Sequence, residues 1–324
     1  MGLEKLVKHS MPAMISMGTK YTAKEVVSIL PIVGFTELKK FTFSEIIDVR
    51  TPLEFAEDRI RGAINLPVLN NEQRAEVGTL YCSDKLKGRK VGAALISRNI
   101  SDHILNHFKE KDLNYKPLIY CWRGGQRSRS MAIILKEIGF QPVLLQGGYK
   151  AYRQHVCSYL CQEKTEDQPL TNLDKIRLVR ISGATGSGKT LLLKALKARG
   201  EQILDLEDLA KHKGSILGDY PSENQPSQKG FESDLFNNIE ELSPSSVVWI
   251  ENEGSRVGNV GVSRRLWEKM CKSPRYVTFY TFKTLKSIKW QIPSCAISQT
   301  ATSQVCPSCS APLARSRRSA GNES

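Results

Sequence analysis

Tyr120-Cys121-Trp122-Arg123-Gly124-Gly125-Gln126-Arg127-Ser128 follows an apolar run, Pro117-Leu118-Ile119-Tyr120, and precedes a helix-like segment from Ser130 to Ile138. A strand, a tight glycine-bearing loop and a helix start, in that order, turn main-chain N–H groups inward. They form an anion-binding concavity at the positive end of a helix dipole. A cysteine at the head of such a loop lies beside those N–H groups and nearby arginines, which favours its thiolate. Buried cysteines elsewhere are mostly inert packing. Two glycines and two arginines directly after this one argue for chemistry, with Cys121 as nucleophile and Trp122, Arg123, Gly124, Gly125, Gln126, Arg127 and Ser128 as its anion-binding loop.

Upstream, Phe43 to Val49 reads as a short strand ending in Asp48-Val49-Arg50. A helix start follows, with Thr51 as N-cap, Pro52 at the first helical position and Glu54 three residues after the cap. Gly62-Ala63-Ile64-Asn65-Leu66-Pro67 is a further small strand, and Pro142-Val143-Leu144-Leu145 another. Strands alternating with helices predict a parallel sheet covered on both faces, with ligands beyond the carboxyl ends of its strands. Cys121 stands at such an end. Ile47-Asp48-Val49-Arg50, Phe55, Gly62 to Pro67, the Cys121 loop and Gln146-Gly147-Gly148-Tyr149 together resemble a rhodanese-type sulfurtransferase domain. Asp48 and Arg50 are expected to be structural groups near the loop. Cys121 to Arg127 is C-x5-R, a spacing that cysteine-dependent phosphatases also use. A phosphatase wants a general acid for its leaving group, and none stands out, so the loop alone leaves persulfide-type and phosphatase chemistry both open.

Ile176 to Ile181 is the next strand. It runs into Gly183-Ala184-Thr185-Gly186-Ser187-Gly188-Lys189-Thr190 and then the leucine-rich helix Leu191 to Ala198. This G-x4-G-K-T, in its strand, loop and helix setting, predicts a diphosphate or nucleotide site. Its main-chain N–H groups close on phosphate, Lys189 adds a point charge and the Thr190 hydroxyl can hold Mg²⁺. Val247-Val248-Trp249-Ile250-Glu251-Asn252-Glu253 reads as a strand delivering acids, so Glu251 and Glu253 are expected Mg²⁺ contacts and Arg256 an anion contact. No other metal site is expected, because Cys306 and Cys309 have no second C-x2-C partner.

The rhodanese-like parts, the P-loop, Asp205 to Ala210, His212-Lys213-Gly214-Ser215, Gln225-Pro226-Ser227-Gln228 and Glu251 to Gly258 together resemble the tRNA 2-selenouridine synthase family, from about Glu45 to Met270. In that family the C-x5-R loop is normal. The resemblance implies an α/β fold with a rhodanese-like parallel-sheet domain followed by a P-loop NTPase-like α/β domain. It also implies tRNA of the Lys, Glu and Gln type as partner. The sulfur of wobble 2-thiouridine would be alkylated by geranyl diphosphate, and the S-geranyl group then displaced by selenium from selenophosphate, carried on Cys121 as a selenopersulfide. A nucleotide in the P-loop stays open. The resulting layout is a flexible start over 1–21, a rhodanese-like domain over 22–156, a linker over 157–174, an incomplete P-loop domain over 175–270 and a disordered, divergent tail over 271–324. Against this enzyme stand a phosphatase working through Cys121 and Arg127, and a shortened, inactive chain that binds tRNA or nucleotide.

Composition agrees with an anionic partner. The chain of 324 residues carries a net charge of +14, half of it between Lys272 and Ser324, where eight basic residues face one acid. No apolar stretch approaches the roughly 18 residues that cross a bilayer, so no membrane partner is expected. Eight cysteines without regular spacing fit a reducing, intracellular setting, the cytoplasm first, rather than a disulfide framework. An organelle remains open, as does the oligomeric state.

Overall fold

Two parallel sheets account for the alternating strand and helix signals. The computed structural model describes residues 30–162, 169–184, 186–214, 218–221 and 223–277. The expectations for residues 1–21, for Thr185, Ser215, Cys306 and Cys309, and for the tail past 277 lie outside these residues, as does most of the polar linker, 163–168. The chain divides into two compact units, one of Met1–Pro52 with Gly62–Ala151 and one of Leu53–Arg61 with Tyr152–Ser324. No helix among the described residues is long and apolar enough to cross a membrane.

The first sheet is built from β1 (Ile32–Val33), β2 (Glu45–Asp48), β3 (Ala63–Asn65), β4 (Pro117–Tyr120) and β5 (Val143–Leu145). Its order is β1-β5-β4-β2-β3, and every pairing is parallel. Helix α1 (Pro52–Glu57) follows β2, and the long pair α2 (Asn71–Ser83) and α3 (Lys85–His103) separates β3 from β4. Helices α4 (Gln126–Ile138) and α5 (Gly148–Cys161) follow β4 and β5. All four residues of β4 are buried, as an apolar strand with neighbours on both edges and both faces must be. In α4, Ser128, Met131, Ala132 and Leu135 recur at helical spacing and form its buried face. That face meets Ile47, Val49, Ile119 and Leu144 in one core, where each fully buried Leu or Met stabilises by roughly 1.5–3 kcal/mol. The register sets Asp48 level with both Asn65 and Tyr120, so three strands end together beneath the Cys121 loop.

The second unit continues with α6 (Asn172–Lys175), β6 (Arg177–Ser182), α7 (Lys189–Ala198), β7 (Gln202–Leu204), α8 (Leu206–Ala210), α9 (Gln228–Glu241), β8 (Val247–Glu251), the hairpin β9 (Arg256–Val257) and β10 (Val260–Gly261), α10 (Arg264–Lys272) and β11 (Arg275–Val277). Its sheet runs β11-β6-β8-β7, again all parallel. Ile181 pairs with Glu251, which brings the end of β8 beside the start of the P-loop. Leu192, Leu193 and Leu196 of α7 pack with Ile181, Ile203 and Trp249 beneath it.

Two boundaries differ from the sequence reading. The linker does not begin at 157, because α5 runs to Cys161 and buries Tyr152, Val156, Tyr159 and Leu160 on one face. That helical period crosses 156 unbroken. Nor does order stop at 270: α10 runs to Lys272 and β11 joins the sheet edge, with Arg275 opposite Arg180 and Tyr276 edge-on to Trp249 at 6.3 Å. Strand pairing uses main-chain groups, so a composition poor in acids did not forbid it.

Candidate functional site

Cys121 leaves the carboxyl end of β4 and is only 3% exposed. Its Sγ accepts the Gly125 N–H at 3.2 Å and the Ser128 hydroxyl at 3.2 Å. Ser128 Oγ lies equally close to the Gly125 carbonyl, so its single proton serves one acceptor or the other. No histidine or carboxylate is hydrogen-bonded to the sulfur among the described residues. Arg123 and Gln126 are exposed, while Trp122, Gly124, Gly125 and Arg127 are half-buried. Ser128→Ala removes one of the two hydrogen bonds to the sulfur, worth roughly 1–2 kcal/mol, and should change the rate at which iodoacetamide alkylates Cys121 by about 5- to 30-fold. An unchanged rate would show that the serine bonds only to Gly125.

The loop is held from its far side by the start of α5. Tyr149 N–H donates to the Cys121 carbonyl and Lys150 N–H to the Trp122 carbonyl, both at 2.9 Å. First-turn amides of a helix have no partner within it, and here the loop's carbonyls supply one. Gly148 makes that approach possible. Its φ is +60°, and an added Cβ would lie 2.2 Å from the Cys121 carbonyl oxygen and 2.6 Å from the Gly124 nitrogen. Beneath the loop, Arg50 is paired with Asp48, Nη2 to Oδ2 at 2.6 Å, with both side chains at most 1% exposed. The Arg50 guanidinium also covers the Tyr149 ring at 3.9 Å. A charge so fully spent on a neighbour is out of a substrate's reach, in keeping with the structural role expected of both residues.

In the second unit, Gly183 to Thr190 joins β6 to α7, and Ser187 N–H closes the turn on the Ala184 carbonyl at 3.0 Å. Lys189 Nζ rests on the Gly183 carbonyl at 3.2 Å, a bond that an arriving phosphate can replace. Thr190 donates its hydroxyl to Glu207 Oε2 at 3.2 Å. Glu207, Glu251 and Glu253 each bring a carboxylate oxygen within 4.8 Å of the others. Glu251 is fully buried and both its oxygens lack a hydrogen-bond partner, the nearby Thr190 proton being committed to Glu207. Burial first, then the charges of Glu207 and Asp205, push Glu251 up to about 8. Burial and Glu253 raise Glu207 as well, and burial raises Glu253 against the pull of Lys189 and His212. Crowded, desolvated oxygen ligands beside a phosphate loop are the donor set that suits a hard divalent cation such as Mg²⁺. Glu207, Glu251 and Glu253 fit that ion.

Glu207 carried no role of its own in the sequence reading; its signal is an acid just past the end of a short strand, β7. Gly214 covers the cluster, and a Cβ there would strike Glu207 Oε1 at 2.6 Å and Glu253 Oε2 at 2.7 Å. His212 Nδ1 accepts the Gly214 N–H at 3.1 Å and steadies that loop. Arg256, expected as an anion contact, is exposed on β9 and its guanidinium donates to the Asn259 carbonyl at 3.3 Å. The two glutamines of Gln225-Pro226-Ser227-Gln228 bind backbone. Gln225 spans Ala210, Val257 and Asn259, and Gln228 holds both main-chain groups of Gly261, so the motif clamps the β9–β10 hairpin.

Residues 35–155 match the rhodanese-like domain, and residues 176–283 match the tRNA 2-selenouridine synthase AAA domain. The tRNA 2-selenouridine synthase of Bdellovibrio bacteriovorus is 33% identical over 235 residues, covering 71% of this chain and 59% of that protein. That of Nitrosomonas eutropha is 36% identical over 236 residues, covering 70% and 57%. That of Psychromonas ingrahamii is 34% identical over 234 residues, covering 72% and 60%. The chain thus spans about three-fifths of the length of these relatives. With both domains present in this order, and with a third or more of the aligned residues shared with the synthases, the chain is similar to the tRNA 2-selenouridine synthases across its rhodanese-like and AAA domains.

Proposed function

We propose that the chain modifies the wobble uridine of tRNA, exchanging the sulfur of 2-thiouridine for selenium. The observation that carries this reading is the Cys121 sulfur, buried at the head of its loop and held by the Gly125 N–H and the Ser128 hydroxyl. In the first stage the 2-thiouridine sulfur attacks the first carbon of geranyl diphosphate. An S–C bond forms, a C–O bond breaks and diphosphate leaves. In the second stage a selenium nucleophile adds at C2 of the base and geranylthiol departs. Alkylation is what makes the sulfur a leaving group.

Oxidation levels restrict how Cys121 handles selenium from selenophosphate. That selenium is already at the selenide level, so an S–Se bond to the cysteine would need an oxidant. Attack of the thiolate on phosphorus needs none: an S–P bond forms, the P–Se bond breaks and hydroselenide is released, after which water clears the phosphate from sulfur. Hydroselenide leaves readily as an anion, so this route also needs no general acid, consistent with a sulfur to which no acid is hydrogen-bonded among the described residues. In the other unit, the P-loop with Lys189 neutralises a diphosphate, that of the prenyl donor or of a nucleotide. Mg²⁺ on Glu207, Glu251 and Glu253 would add positive charge to the same oxygens.

The test is mass spectrometry of tRNA nucleosides from cells carrying the wild-type, Cys121→Ser or Lys189→Ala chain. Cys121→Ser should abolish 2-selenouridine and leave S-geranyl-2-thiouridine in place. Lys189→Ala should weaken diphosphate binding and leave alkylation of Cys121 unchanged. Selenouridine made at the wild-type level by Cys121→Ser would end the nucleophile assignment.

A further inference from the structure

Helices α2 and α3 form an arm that the core of the first unit scarcely uses. α2 has no fully buried residue, and α3 buries only Gly88, Gly92 and Ile100. The two glycines serve the arm itself. A Cβ on Gly88 would lie 2.7 Å from the Tyr81 backbone, and one on Gly92 would lie 3.1 Å from Val77. Asp84 alone joins the helices and spends its carboxylate on the Leu86 and Lys87 N–H groups, at 2.9 and 3.0 Å. The base of the arm is tied to the sheet side: Asn99 donates to the Val68 carbonyl at 3.0 Å, and His103 Nε2 meets the Pro67 carbonyl at 3.0 Å.

The α3 side of the arm is one-sided in charge, whereas α2 carries the exposed Glu72, Arg74 and Glu76. From Lys85 to Ser101 there is no acid, while Lys85, Lys87, Arg89, Lys90 and Arg98 are all exposed. None of the five forms an ion pair among the described residues; Arg89 instead sits 5.9 Å from the ring of the exposed Tyr81. Lys85 and Arg89 are one helical turn apart, an arrangement of like charges that costs the isolated helix a few tenths of a kcal/mol. Charge held at that cost, without an ion-pair partner among the described residues and on helices that bury little, suits a polyanion outside the chain. An exposed tyrosine and an arginine among lysines add a surface on which a base can stack.

We propose that the α2–α3 arm is a tRNA-docking surface, with Lys85, Lys87, Arg89 and Lys90 neutralising backbone phosphates. This rests on the reading of the chain as a tRNA-modifying enzyme and places part of its RNA-binding surface. The experiment measures tRNA binding by the full chain across a salt series, for the wild type and for Lys85→Gln/Lys87→Gln/Arg89→Gln/Lys90→Gln. A second variant removes as much charge elsewhere, Lys283→Gln/Lys286→Gln/Lys289→Gln/Arg315→Gln. Each phosphate left without its cation lowers the slope of log affinity against log salt by about 0.7–0.9. The arm variant should therefore bind about 10- to 1,000-fold more weakly near 100 mM salt, with a slope reduced by roughly 3, and the second variant should be affected much less. Melting temperature and Cys121 alkylation should match the wild type in both. If the arm variant binds with the wild-type slope, or both variants lose affinity equally, the arm is not the docking surface and the enzymatic reading stands. If the wild-type chain binds no tRNA at any salt, the enzymatic reading fails and the docking proposal fails with it.

Discussion

Gly148→Ala is expected to lower the stability of the first unit by roughly 2–5 kcal/mol and, on the function proposed above, to cut selenouridine formation by about 100-fold or more. Two costs combine. The backbone at Gly148 is left-handed, with φ of +60°, where a Cβ clashes with its own carbonyl. Beyond that, the new methyl would lie 2.2 Å from the Cys121 carbonyl oxygen and 2.6 Å from the Gly124 nitrogen, both backbone atoms that cannot rotate aside. The loop must retreat, and with it go the bonds from Tyr149 and Lys150 that fix the Cys121 and Trp122 carbonyls. Gly186→Ala in the other loop is the contrast. Its φ of +79° is equally unfavourable, yet nothing lies within 4 Å of the added Cβ. That change should cost only about 1–2 kcal/mol. Urea unfolding and the Cys121 alkylation rate read both outcomes. A Gly148→Ala protein with wild-type stability and alkylation would mean that the first turn of α5 does not press on the loop.

How far the sequence reached is visible in these two glycines. Both stood in recognisable motifs, and both motifs identified their loops, because a strand, a glycine-bearing turn and a helix start leave a local signature. The loops that carry Cys121, Lys189 and Thr190 were legible for the same reason, as were β4 and the ends of β6 and β8. What the motifs could not say was which glycine touches another part of the chain, since that depends on register across the sheet. The same limit hid Glu207. Its place beside Glu251 follows from β7 and β8 pairing in parallel, Leu204 opposite Ile250, which no local pattern announces. Arg256 is the opposite case: an arginine after an acidic strand end reads as an anion contact, and a two-residue hairpin strand places its side chain at the surface, where it donates to the Asn259 carbonyl.

The carboxylates at the P-loop should make the stability of the second unit fall as pH rises, the reverse of an ordinary acid-sensitive protein. Glu251 ionises near 4.5 when exposed and near 8 in the fold. Between those values the folded chain holds a proton that the unfolded chain has released, so the slope of stability against pH is negative there. Each pH unit within the window removes about 1.4 kcal/mol for one such group, and Glu207 and Glu253, raised for the same reason, steepen its acid end. Below 4.5 the effect is absent, because Glu251 is protonated in both states. A divalent cation competes with that proton. Mg²⁺ should therefore raise the melting temperature strongly at about pH 8 and barely at about pH 5, its stabilisation reaching about 2.7 kcal/mol at a hundredfold excess over its dissociation constant. Glu251→Gln keeps the shape, removes the titration and takes away one ligand, so it should flatten the metal-free profile between about pH 5 and 8 and abolish most of the Mg²⁺ response. Calorimetry of both chains with and without Mg²⁺ decides it. A wild-type profile that rises across that window, or a glutamine variant with the wild-type Mg²⁺ response, would mean that Glu251 is a buried acid with no cation to meet.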